Sequence, residues 1–166
     1  GAINIITDMD YTNNYSVGTS LVENIFRNNS INGNYSKITD SEWHLNFKAA
    51  ANQSETNSAI AKGHEDDSAK NYQINLNTEK WFNDNLKANS TFYTRRTKSN
   101  YDTSTSDESG FAHDKMYVLQ TGVNKLTSNS ETKFTLHFNH YNREYDESGY
   151  FSWYNSDSAV LKAEGR

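Results

Sequence analysis

The chain contains no cysteine and no proline among its 166 residues. The first absence excludes disulfides, cysteine-ligated metals and thiol chemistry. The second removes the usual punctuation of loops and leaves Asn, Ser and Gly to make the turns. Apolar residues are also scarce, at 34% against about 45–50% in an ordinary soluble domain. Mean hydropathy is -0.95, and no run approaches the roughly 20 apolar residues that a membrane-spanning helix needs. Basic residues are outnumbered, 16 Lys and Arg to 21 Asp and Glu, and they are scattered. Nucleic acid, which demands a concentrated basic surface, is therefore not an expected partner.

Disorder would account for the shortage of apolar residues, but aromatics make up 13% of the chain, including 11 Tyr and 8 Phe. Disordered segments are depleted in these residues. A wall with water on one side and lipid on the other reconciles the two facts, because only every second residue then has to be apolar.

Alternation is the dominant pattern. Trp43, Leu45, Phe47, Ala49 and Ala51 share one face of a predicted strand, with His44, Asn46 and Lys48 on the other. Tyr72, Ile74 and Leu76 repeat the pattern, as do Tyr117, Leu119, Thr121 and Val123, and Phe134, Leu136 and Phe138. Weaker segments at 15–22, 29–38, 86–98 and 158–165 bring the count to about eight strands, near the length of about 9–11 residues that a tilted strand needs to cross a bilayer. Short polar turns at 39–42, 81–85 and 127–131 alternate with long polar stretches at 54–69, 99–114 and 146–157, and 23–28 is a shorter connection on the same side as the long ones. Outer-membrane barrels sort their connections this way, with short turns in the periplasm and long loops outside. The expected fold is all-β: an antiparallel, up-and-down segment of a transmembrane β-barrel, forming a curved open sheet in isolation. The expected location is the bacterial outer membrane, with membrane lipid as a partner.

The opening residues Gly1, Ala2, Ile3, Asn4, Ile5, Ile6 and Thr7 resemble the strand that ends the plug domain of TonB-dependent outer-membrane receptors. Tyr72 to Asn77 with the turn after it, then Gln120 to Asn124 and His140 to Asp146, are similar to the early barrel hairpins of the cobalamin receptor and its relatives. The resemblance implies that residues 1–12 are the C-terminal remnant of a plug and 13–166 the N-terminal, incomplete part of a larger barrel. It implies energised uptake of a scarce nutrient, such as cobalamin or a siderophore. A TonB-type energy-transducing protein would engage the missing start of the plug. Alternatives are a passive porin-type barrel, or a soluble β-rich adhesion or carbohydrate-binding module. The soluble module predicts that Leu45, Phe47, Leu136 and Phe138 meet in a dry core between two stacked sheets.

Aromatics in the predicted external loops, Tyr101, Phe111, Tyr150, Phe151, Trp153 and Tyr154, are candidates for ligand capture, since they offer rigid contact area. Some of them could instead belong to the aromatic girdle at the membrane interface. Trp43, Trp81 and Phe82, beside the short turns, suit the girdle at the other interface. Carboxylates at Glu65, Asp66, Asp67, Asp107 and Glu108 form a candidate calcium set, although no regular calcium-loop spacing is present and acidic loops also serve simply as solvated surface. No other cofactor is expected. His137 and His140 are three apart on a strand and so face opposite ways. His44 and His137, with Lys48, Lys87, Arg95, Lys133 and Arg143, are placed on the inward face. The basic residues there would meet the plug or an anionic substrate. No Gly-x-Ser-x-Gly elbow or spaced catalytic set occurs, and no enzymatic activity is expected.

Overall fold

A computed structural model describes residues 12–22, 27–56, 67–103, 106–147 and 149–166. The described chain forms eight strands: β1 (Asn14–Val22), β2 (Arg27–Ile38), β3 (His44–Thr56), β4 (Asp67–Asn83), β5 (Leu86–Thr103), β6 (Ser106–Leu126), β7 (Glu131–Glu147) and β8 (Tyr150–Gly165). They make one antiparallel sheet in simple up-and-down order, β1 to β8, in which β1 and β8 are the edges. The predicted count and topology are both realised.

The short turns form where Asp, Asn, Ser and Thr supply local hydrogen bonds in place of the ladder. Between β2 and β3 the Glu42 amide donates to the Thr39 carbonyl (2.9 Å) and the Trp43 amide to Thr39 Oγ1 (3.0 Å). Glu42 takes a left-handed conformation there, with φ of 63°. The Asn85 amide donates to Asn83 Oδ1 (2.9 Å), and Ser130 and Thr127 close the β6–β7 turn reciprocally. At the other end of the sheet Gly149 has φ of 80°, which glycine adopts without steric cost, and its amide donates to Asp146 Oδ1 (3.1 Å).

Two stretches expected as long loops are strand instead. The β5–β6 ladder continues through Tyr101↔Gly110 to Thr103↔Ser106, and the β7–β8 ladder through Arg143↔Tyr154 to Glu147↔Tyr150. Pairing there needs only backbone groups. Polar side chains on both faces erase the alternation without breaking the ladder, so the strands outrun the apolar signal. β6 reaches 21 residues, about twice what a tilted strand needs to cross a bilayer.

The register sorts the side chains into two faces. Tyr35, Phe47, Leu76, Phe92, Leu119 and Phe138 lie in one continuous row across β2 to β7. Their face also carries Val17, Ile31, Ile74, Val123, Phe134, Leu136 and Leu161, and all of these are exposed. The buried residues lie on the opposite face: Ser36, Asn46, Asn75, Asn77 and Glu79, with Ala112, Met116 and Val118. Asn46 is 0% exposed while its neighbour Phe47 is 40% exposed. The sheet is enclosed on its polar side and open on its apolar side, the sense of curvature of a barrel wall with its polar face inward. Leu45, Phe47, Leu136 and Phe138 share one face of one sheet, β3 and β7 being separated by three intervening strands, so they form no core between stacked layers.

The apolar band drifts along the strands as it crosses the sheet. In β1 it is centred near Gly18, opposite Asn32 of β2, whereas in β8 it is centred near Leu161. The row of Leu161 runs through Leu136, Thr121, Ser90, Thr78 and Leu45 to Lys37 of β2. The drift is about five residues over seven strand steps, which at about 3.3 Å per residue and about 4.8 Å per strand gives a slant of roughly 25°. Barrel strands tilt by about 35–45° in the same way when the band stays level with a membrane.

Candidate functional site

The inward face is the part of the molecule with built polar chemistry. Asparagines hydrogen-bond diagonally across β1, β2 and β3 and along β4. Asn34 donates through Nδ2 to Asn14 Oδ1 (3.2 Å), and Asn46 donates through Nδ2 to Asn34 Oδ1 (3.3 Å). Further along, Asn77 Nδ2 donates to Asn75 Oδ1 (2.6 Å) and Thr91 Oγ1 to Asn77 Oδ1 (2.9 Å). The Lys87 ammonium lies 3.1 Å from Glu79 Oε2 and 5.2 Å from the centre of the Trp81 ring. Most buried polar groups are paired in this way, whereas the enclosed Oδ1 atoms of Asn46, Asn71, Asn124, Asn139 and Asn142 have no hydrogen-bond partner among the described residues. A cleft of about 390 Å³ opens on this face, lined by Asn34, Lys48, Gln73, Asn75 and Tyr93 among others.

At the end of the sheet away from the short turns, β6, β7 and β8 bring a second group together. Tyr141 donates its hydroxyl to Asp114 Oδ1 at 2.6 Å, and Arg143 Nε is 3.7 Å from the same oxygen. The Arg143 guanidinium lies 5.7 Å from the Tyr145 ring centre, and the Tyr141 and Tyr154 rings are 6.0 Å apart. Arg143 and Tyr154 are direct cross-strand partners. The group offers aromatic edges, a guanidinium and a carboxylate within one patch, an arrangement suited to a polar ligand with planar parts.

The structure divides the six predicted ligand-binding aromatics. Tyr150 and Tyr154 take register positions on the inward face, while Phe111, Phe151 and Trp153 fall on the outward face. Tyr101 lies on β5. Tyr141 and Tyr145 were not singled out from sequence. Their spacing with Arg143, at i, i+2 and i+4 on one strand, would have placed all three on one face had β7 been extended past its apolar positions. The inward assignments of His44, His137, Lys48, Lys87, Arg95, Lys133 and Arg143 agree with the register. In the predicted girdle Trp43 packs edge-on against Phe82 (6.4 Å) on the outward face, with the Lys80 ammonium 5.7 Å and 5.5 Å from the two ring centres. Trp81 turns the other way, toward Lys87.

Of the candidate calcium set, Glu65 and Asp66 lie outside the described residues, Asp67 begins β4, and Asp107 and Glu108 lie on β6. Among the described residues no three His, Asp or Glu side chains converge as a metal site. The plug-end motif, Gly1 to Thr7, also lies outside the described residues. Comparison of the chain with known protein families, characterised proteins and solved structures gives no significant match.

Proposed function

We propose that the chain is a section of the wall of an outer-membrane β-barrel of the TonB-dependent receptor type, working in energised uptake of a scarce nutrient. The observation that carries the barrel is the inverted burial of its single sheet, with the apolar row from Tyr35 to Phe138 facing out and Asn46, Asn77 and Glu79 enclosed. Exposed apolar surface of this extent is costly in water and favourable in hydrocarbon. The receptor assignment is supported by the Gly1 to Thr7 sequence, and the Asp114, Tyr141, Arg143 and Tyr154 patch offers a place for the nutrient on the inward face. A plug would meet the Asn and Lys positions nearer the short turns.

The reaction is transport by conformational change, with no covalent step. A decisive measurement is accumulation of labelled cobalamin or ferric siderophore by cells carrying the protein, before and after the proton gradient is dissipated. Uptake that collapses with the gradient supports the receptor. Entry that is indifferent to it would assign the wall to a passive porin.

A further inference from the structure

Above the apolar band, at the end away from the short turns, the outward face carries an unusual run of cations. Arg96 of β5 stands directly opposite Lys115 of β6, and Lys70 of β4 directly opposite Lys98 of β5. Arg96 and Lys98 are two apart on one strand, so the four occupy two adjacent rows of the same face. His113, opposite Lys98, lies within electrostatic reach of Lys98, Arg96 and Lys115. Among the described residues Glu144 approaches the cluster only through His113, at 4.0 Å, and Glu55 pairs with Arg27 at 3.9 Å, so neither has an ion pair with the four cations. Like charges directly opposed across a sheet are destabilising. In a chain of net charge -5 such a cluster calls for an external anion.

The same place has a slot for an apolar tail. A groove of about 580 Å³ crosses the outward face beneath the cations, with Gly33, Ala49 and Ala51 as its floor and Tyr72, Tyr117 and Arg96 on its rim. Three small residues at adjoining register positions leave the depression, and the larger side chains around it supply the walls. Arg96 belongs to both features, joining the charged cluster to the groove.

We infer that Arg96, Lys115, Lys98 and Lys70 hold the phosphate groups of a phosphorylated outer-leaflet glycolipid, with one of its acyl chains in the Gly33, Ala49 and Ala51 groove. Guanidinium and ammonium groups bind phosphate through charge-assisted hydrogen bonds, and basic pockets at the edge of an apolar band are a recurrent way to hold a lipid headgroup. This assignment rests on the reading of the chain as a membrane wall.

The test uses the protein folded in zwitterionic micelles, with bis-phosphorylated lipid A as the probe and native mass spectrometry as the readout. Wild type should retain one lipid A, and the R96Q/K115Q double variant should retain it at least tenfold more weakly. Lipid A stripped of its phosphates should bind wild type as weakly as the intact lipid binds the variant. An A49F variant, which fills the groove and leaves the charges alone, should also lose retention. Equal retention by wild type and R96Q/K115Q, both shown folded by their electrophoretic migration before heating, would overturn the site. Complete displacement of the lipid by millimolar inorganic phosphate would reduce it to a plain anion site and overturn the lipid. The protein used is the complete barrel that carries this wall, and its failure to enter phosphatidylcholine vesicles would sink the membrane reading, and this site with it.

Discussion

Val118 and Leu119 are sequence neighbours on β6, both aliphatic, yet one is 7% exposed and the other 41%. Val118 shares its face with Tyr93 and Asn139, whereas Leu119 shares its own with Phe92 and Phe138. In a water-soluble protein the aliphatic company of Leu119 would mark the core, and the tyrosine and asparagine around Val118 would mark the surface. Here the relation is inverted across the middle of the sheet, while the edge strands β1 and β8 are largely exposed on both faces. Burial follows polarity as it would in a wall with hydrocarbon outside and water and protein inside, and on the proposed reading the two faces should respond to substitution in opposite senses.

The strongest way to break that comparison is to place one charge on each face at the same height. Leu119→Arg should cost about 2–4 kcal/mol of folding free energy in a bilayer, the penalty of a charge near the lipid midplane. Gln120→Arg, one residue away on the inward face, should cost under about 1 kcal/mol, as surface substitutions do when water is accessible. Urea titration of vesicle-inserted protein followed by tryptophan fluorescence measures both. Equal costs at the two positions would remove the distinction between the faces.

A smaller effect is expected inside the polar face. Glu79→Gln takes the carboxylate from Lys87, whose ammonium lies 3.1 Å away and whose side chain is only 26% exposed. The loss should be about 1–3 kcal/mol, the range for leaving an enclosed polar group without its partner. Glu131→Gln, which breaks the exposed pair with Arg166 at 3.2 Å, should cost about 0–1 kcal/mol in the same titration. Tyr141→Phe removes the donor to Asp114 and should cost about 1 kcal/mol. If that patch receives the nutrient, the variant should bind it more weakly while keeping its fold, which equilibrium dialysis can separate. A further small change belongs to the outward face beside the short turns. Lys80→Gln leaves the Trp43 and Phe82 rings without their cation and should cost about 0.5–1 kcal/mol, the value of an exposed cation–π contact.

The difference between the faces was largely legible in the sequence, because a strand alternates its side chains strictly and Trp43 to Ala51 or Phe134 to Phe138 can alternate in no other useful way. Strand ends were not legible. At Asp102 or Glu144 both faces are polar, so alternation has nothing to report while the backbone continues to pair. The fate of the candidate site follows from the same fact. Tyr150 and Phe151, adjacent in sequence and both assigned to a loop, become strand residues that face opposite ways. The Arg96, Lys115, Lys98 and Lys70 cluster was invisible for another reason. Its members come from three strands, and only the register, fixed by pairs such as Arg96↔Lys115, brings them together.

The outer backbone groups of β1 and β8 point away from the sheet, and among the described residues neither strand has a second neighbour. In water such groups are hydrated and the cost is slight. In hydrocarbon each one left without a partner costs several kcal/mol, and β8 alone contributes 16 residues. On the proposed membrane reading, entry into the bilayer and the pairing of both edges would therefore have to be coupled in time. A sheet that entered first and sought its neighbours afterwards would face a barrier far larger than the stability of any folded domain, so assembly has to present the seam and the lipid together.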